Sequence, residues 1–375
     1  MTKVWKKRKD WIMCAVVMVF CGLICLIPNE HLNATRKFPR ERVRIDSVDN
    51  SMPDAVGITY NGVQPCMVTV LTGVHKGENY RSFNYLNSAM DKDKLYNPGD
   101  TAWAMLQSND DQVIVTLIDH YRAGTEAWVV AILAIILLGF GGVIGCGAIV
   151  SLAASAVIIW KLLIPLLLEG IDPVASAFVT VIVLTLIIDL LVAGFSKRFL
   201  AAVLGSLAGT VVTCAAALLL TYALKLDGGD LPYVVPLLAQ SSMGVDTRNL
   251  YIGMMFLANS GALMDLSMDI SVSMEEICRH SPNISRRELM KSGLMVGRSV
   301  LGTMTTTLML AYSGNYLSML MYFVGQGTPI TDIINLKYVA SQLLNTLVGS
   351  FGLVAAAPLT ALIALRVYLP VQKTP

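Results

Sequence analysis

Long apolar runs recur along most of the chain, separated by short polar connections. They cover about residues 11–27, 126–146, 149–168, 173–194, 199–224, 250–272, 294–318 and 340–366. Each approaches or exceeds the roughly 20 residues that a helix needs to cross a bilayer. The pattern therefore predicts an α-helical polytopic membrane protein with about eight transmembrane helices. The connection near 145–149 has no charge, so 126–146 and 149–168 are open to a second reading as one irregular or re-entrant element. Residues 28–124 break the rhythm. "AVGITY" (55–60), "PCMVTVLTG" (65–73), "DTAWAML" (100–106) and "QVIVTLIDHY" (112–121) read as strands, with turns expected at "YNG" (60–62) and "NPGD" (97–100). They predict a small all-β barrel or sandwich between helices 1 and 2. The stretch 231–250, "LPYVVPLLAQSSMGVDTRNL", is semi-apolar with two prolines. It reads as an interfacial helix plus loop or as a re-entrant segment lining a cavity.

Composition agrees with this division. Of the 375 residues 55% are hydrophobic and 14% charged, with a mean hydropathy of +0.62, outside the soluble globular range. Charge then orients the spans. Five basic residues precede the first run, which reads as an uncleaved span with its N-terminus in the cytoplasm. The connections "SKR" (196–198) and 278–291 and the C-terminal "RVYLPVQK" are basic, whereas the alternate loops are acidic or nearly neutral. Eight spans with both ends in the cytoplasm satisfy that bias. The expected parts are a basic tail and first helix (1–27), an extracytoplasmic β-domain (28–124), a seven-helix membrane domain (125–368) and a cytoplasmic tail (369–375). A net charge of +2 gives no sign of nucleic-acid binding, and the seven cysteines and four histidines are dispersed. Neither a disulfide framework, a metal site nor a cofactor site is expected.

Charges inside the spans carry the chemistry. They are Lys161, Asp189, Asp265, Asp269 and Arg298. Each costs about 2.5–3.5 kcal/mol at mid-bilayer on insertion scales, so such groups face the bundle interior, pair, or line a pathway. Ala258, Ala262, Asp265 and Asp269 fall on one helical stripe. It is small and acidic, so the next helix is expected to approach it with Arg298, Gly302, Thr305 and Thr306. Asp265 facing Arg298 is the expected pair. Asp269 and Asp189 are also open to a solvated, near-interfacial reading, and Lys161 to snorkelling. The glycines of "GFGGVIGCG" (139–147) and "GSLAG" (205–209) point to close helix packing.

"MMFLANSGALMDLSMDISVSMEEI" (254–277) and the following "SRRELMKSGLMVGRSVLGTMTTTLMLAYSGNYLSMLM" (285–321) resemble the YibE/F family of bacterial membrane proteins. The matching positions are Gly261, Ala262 and Asp265, then Gly297, Arg298, Thr306, Thr307 and Leu308, then Ala311, Tyr312 and Gly314. The resemblance extends more loosely over 125–368. It implies one span and an external β segment before a multi-span domain in a bacterial cell membrane. It also implies a transport-related permease. "GFGGVIGCGAIVSL" stands where the family more commonly has a basic, glycine-bearing stretch. The leading functional expectation is a proton- or cation-coupled transporter of a small substrate or ion, with Asp265 as the responsive group. The alternative is a non-transporting scaffold whose β-domain binds an envelope component and whose spans meet a paralogue or a second copy. An enzyme is not expected. Asp189 and Asp265 stand on different spans, as an aspartyl protease requires, but "G-x-G-D" is missing.

Overall fold

The computed structural model describes residues 2–26, 38–109, 112–240, 244–314 and 316–369. Residues 370–375 of the expected tail, and 241–243 of the semi-apolar stretch, lie outside them. The chain divides into two compact units, Asn29–Ile136 and Met1–Pro28 with Leu137–Pro375.

The first unit is a β-barrel. Its strands are β1 (Arg40–Val48), β2 (Asp54–Val56), β3 (Thr59–Val70), β4 (Asn79–Asn87), β5 (Thr101–Asn109) and β6 (Gln112–His120). The order is β1-β5-β6-β4-β3-β2, and β1 also pairs with β3, which closes the sheet. A register shift between Ile45 and Ser47 lets β1 serve both neighbours: residues 40–44 pair with β5 and residues 43–48 with β3. Bulges bend strands in this way at barrel corners. β4 and β6 run parallel, and every other pair is antiparallel. Setting the short β2 aside, this is the connectivity of a five-stranded Greek-key barrel of the OB type. Val43, Ile45, Val68, Tyr96, Ala104 and Leu106 help fill its interior.

The barrel alternative of the sequence reading thus holds, with three differences. "AVGITY" is not one strand: β2 ends at Val56, Gly57 and Ile58 form a turn, and β3 starts at Thr59. "YNG" is not a turn; it lies inside β3, where Gly62 adopts φ +119°. β1 and β4 were not expected as strands. "NPGD" does form a turn, with the Asp100 amide donating to the Asn97 carbonyl.

The second unit is helical. α1 (Thr2–Leu26) is followed, after the barrel, by α2 (Ala123–Leu168), which begins in the first unit. Then come α3 (Pro173–Ala193), α4 (Lys197–Ala223), α5 (Val234–Gln240), α6 (Thr247–His280), α7 (Arg286–Gly314), α8 (Leu317–Gly325), α9 (Ile330–Asn335) and α10 (Lys337–Tyr368). Among the described residues, five helices are long and apolar enough to cross a membrane: α2, α3, α4, α7 and α10. The apolar part of α1, Trp11–Leu26, is shorter.

The two runs 126–146 and 149–168 belong to one stretch, Ala123–Leu168, in which two helices meet across a kink with no separate loop between them. It breaks at Gly142, where φ is 54° and ψ −121°, a conformation that glycine alone adopts cheaply. The chain folds closely there, since a Cβ on Gly145 would lie 1.9 Å from the Leu137 carbonyl oxygen. Residues Ile159–Leu163 add a π-helical turn.

Helix ends follow local sequence. Asp172 caps α3 with Pro173 in its first turn, Ser196 caps α4, and Asp246 caps α6. Ser285 and Glu288 form a capping box at α7: the Ser285 amide donates to Glu288 Oε2, and the Glu288 amide donates to Ser285 Oγ.

α6 is the hub of the bundle and packs against α3, α4, α7 and α10. Glycines set the closeness of these contacts. A Cβ on Gly205 would lie 2.3 Å from Thr360 Oγ1, and one on Gly209 would lie 2.7 Å from the Ala356 Cβ. The packing role expected for "GSLAG" is therefore realised between α4 and α10.

Candidate functional site

α3 carries four buried polar residues, Ser176, Thr180, Thr185 and Asp189. Ser176 and Thr180, four apart, share one face, and Thr185 and Asp189 share another. Thr180 bonds back to the Ser176 carbonyl at 2.8 Å. Among the described residues, the hydroxyls of Ser176 and Thr185, and Oδ2 of Asp189, have no hydrogen-bond partner. Asp189 is 2% exposed. Its carboxyl is buried among protein rather than solvated.

The charge that acts on Asp189 is the Asp265 carboxylate, on α6. Asp265 in turn feels Asp269, one turn further along. The three acids form a series that runs from the buried face of α3 to the open face of α6, where Asp265 and Asp269 are exposed. Among the described residues no ion pair reaches any of them.

The expected pair of Asp265 with Arg298 does not form within the chain. α7 does pack on α6, but through Gly293 against Met274 and Gly297 against Ile270. The Tyr312 hydroxyl adds a bond to Asn259 Oδ1 at 3.3 Å. The stripe Ala258, Ala262, Asp265, Asp269 therefore lies beside that contact, not in it. Arg298 and Thr306 are exposed, and the Thr306 hydroxyl bonds back to the Gly302 carbonyl at 3.1 Å. Lys161 is half-buried in the π-helical turn and has no ion-pair or hydrogen-bond partner among the described residues. The structure thus brings together Asp189, Asp265 and Asp269. It leaves Arg298, Thr306 and Lys161 apart from them.

A cleft of about 1120 Å³ opens just beyond these acids. Leu191 and Val192 line it half a turn past Asp189, and Val272 lines it one turn past Asp269. Its rim carries both charge signs. The Arg198 Nε lies 4.0 Å from Glu275, and its guanidinium donates to the Ala193 carbonyl at 3.2 Å. Ser271 joins α6 to the Tyr368 hydroxyl of α10 at 2.8 Å. Val143 and Ile144, next to the Gly142 break, reach the same cleft. Thr185 was missed from sequence, although its position four residues before Asp189 is a usable signal. Arg198, Ser271 and Tyr368 converge only in three dimensions.

A carboxyl buried without a partner is stable when it holds a proton or a cation, because an isolated ionised carboxylate is too costly in an apolar interior. Hydroxyl and carboxylate oxygens are also the hard donors that monovalent and divalent cations take. The described residues contain no cluster of three or more side chains suited to a metal ion. No curated protein and no solved structure matches the chain. A family model described as YibE/F-like protein matches residues 129–369, which include α6, α7 and all three acids. The match covers well over half of the sequence, and the chain belongs to the YibE/F-like family.

Proposed function

We propose that this protein is a proton- or cation-coupled membrane transporter in which Asp189 and Asp265 form the ion-responsive acid pair. The reading has the chain cross a bacterial cell membrane eight times, with both ends in the cytoplasm. One observation carries it: Asp189 is buried, has an unpartnered carboxyl oxygen, and stands within the field of a half-open acid on the next helix of the hub. Binding a proton or cation there removes a like-charge repulsion between α3 and α6. Two helix arrangements then differ in free energy by an amount set by the ion, which is what a switch requires. The cleft lined by Leu191 and Val272 opens within one turn of Asp189 and Asp269 along their helices.

A pH jump applied to proteoliposomes on a solid-supported membrane reads ion binding without knowledge of the substrate. The wild type is expected to give a transient charge displacement. Asp189→Asn and Asp265→Asn should each reduce it at least tenfold, and Asp269→Asn should leave most of it. Wild-type currents in both of the first two variants would sink the assignment.

A second reading has its own support. The outer face of β3 and β4 exposes Met67, Phe83 and Tyr85, with Arg81 stacked 5.3 Å from the Phe83 ring centroid. Such a platform suits a scaffold that binds an envelope component. A folded protein silent to both proton and sodium jumps would favour it.

A further inference from the structure

Charges of both signs are exposed on two packed helices. On α6, Ala258, Gly261, Asp265 and Asp269 share an open stripe; on α7, Arg298 and Gly302 share another. All six are exposed. Asp265 is residue 19 of the 34 in α6, which starts at Thr247, and Arg298 is residue 13 of the 29 in α7, which starts at Arg286. Both stand near the middle of their helices, at the depth where a spanning helix meets hydrocarbon. Charges at that depth face protein or water rather than lipid, yet neither acid pairs with Arg298 inside the chain.

The reason is geometric. Gly297 packs against Ile270 and Ala357, which sets Arg298 level with Asp269 and one turn from Asp265. The next residue on a helix points about 100° away, so Arg298 is carried off that contact and outward. A two-fold axis along the bilayer normal keeps every residue at its own depth. It therefore brings Arg298 of one copy to the level of Asp269 in the other, and the reverse. Small residues admit such an approach: a Cβ on Gly261 or Gly302 would meet nothing within 4 Å.

We propose that a second copy of this chain covers the open stripes of α6 and α7, with Arg298 of each protomer paired to Asp269 and Asp265 of the other. The acid series is then completed by the partner's guanidinium, which the single chain lacks. The inference requires α6 and α7 to cross the bilayer but does not depend on transport. Asp265 thereby takes part in both the ion-responsive pair and the dimer.

Stoichiometry in liposomes, read by single-molecule photobleaching, tests it without any transport readout. The wild type is expected to be dimeric. Arg298→Glu and Asp269→Arg should each lower the dimer fraction at least tenfold at matched protein density. The double exchange, Asp269→Arg with Arg298→Glu, should restore it. Ala258→Cys should form an oxidation-dependent cross-linked dimer above the background of the native cysteines. Val354→Cys, on the exposed side of α10, should not. A wild type that bleaches in single steps at every density overturns the proposal. So does an exchange variant that stays monomeric while keeping wild-type helix content and melting temperature. A dimer with no pH-jump current would instead sink the transport reading and leave this one standing.

Discussion

At the scale of single residues, the barrel depends on one buried amide. Gln64 is fully buried, and its side chain makes four bonds. Its Nε2 donates to Asn50 Oδ1 at 2.7 Å and to the Tyr96 carbonyl at 2.9 Å. Its Oε1 accepts from Asn84 Nδ2 at 3.0 Å and from the Tyr96 amide at 3.1 Å. Gln64→Leu keeps the volume and orphans the buried Tyr96 amide and carbonyl, so it should cost the barrel about 2–4 kcal/mol. Cys66, two residues on, is 1% exposed and reports the loss. Its alkylation in the full-length protein should accelerate by about ten- to a thousandfold, since each 1.4 kcal/mol is a factor of ten. An unchanged rate would show that the amide network carries no stability. The same thiol sets a pH limit. Burial pushes Cys66 up to about 11 from its ordinary 9.0. The folded barrel thus keeps a proton that the unfolded chain loses first. Its contribution is complete below pH 9 and is lost as pH rises toward 11, so Cys66 protection should fall across that window. Residue chemistry of this kind was only partly legible in the sequence. Asp189, Asp265 and Asp269 stood out because charge inside an apolar run is rare. That Asp265 does not pair with Arg298 was not legible, because periodicity gives a side chain's angle on its own helix but not which neighbour stands at that angle.

At the scale of elements, close helix contacts were readable and strand identity less so. "GSLAG" announced a tight contact and delivers one against α10. Gly209→Ala places a Cβ 2.7 Å from that of Ala356, with helix backbone behind it. Overpacking of this kind costs about 1–3 kcal/mol, or a melting temperature lower by about 2–12 °C for a domain of this size. Gly139→Ala meets nothing within 4 Å and should leave melting within about 2 °C of wild type. Equal melting of the two variants would mean that the α4–α10 contact does not govern stability. β1 and β4 escaped the reading for a compositional reason. In "NYRSFNYLN" the inner face carries Ser82 and Asn84 while Phe83 and Tyr85 are exposed, and in "RERVRIDSV" Glu41 is buried beside Val43 and Ile45. Their alternation is therefore faint. "YNG" misled in the opposite direction: a strong turn signal was absorbed into a long strand that bends at Gly62.

At the scale of the whole molecule, the proposed eight-span reading turns on α6. It is not among the five helices apolar enough to cross by composition, and it carries Asp265, Asp269, Glu275 and Glu276 along its second half. Yet it is the helix that α3, α4, α7 and α10 all touch. Its buried faces meet protein, so polar residues such as Asn259, Ser260, Ser267 and Ser271 are solvated by neighbouring helices instead of lipid. If α6 spans as proposed, hydropathy alone underrates it, and the basic connections at 196–198 and 278–291 are the sequence support for eight spans. Single reporter cysteines can check this with a membrane-impermeant maleimide added from outside intact cells. Gly170→Cys and Gly327→Cys should label, whereas Phe195→Cys and Asn283→Cys should label only after the cells are opened. Gly170 precedes α3 and Asn283 follows α6, so labelling of both from outside would mean that the path between them crosses the bilayer an even number of times. α6 would then turn back short of the far side, and Asp265 would sit in a re-entrant element rather than midway along a span.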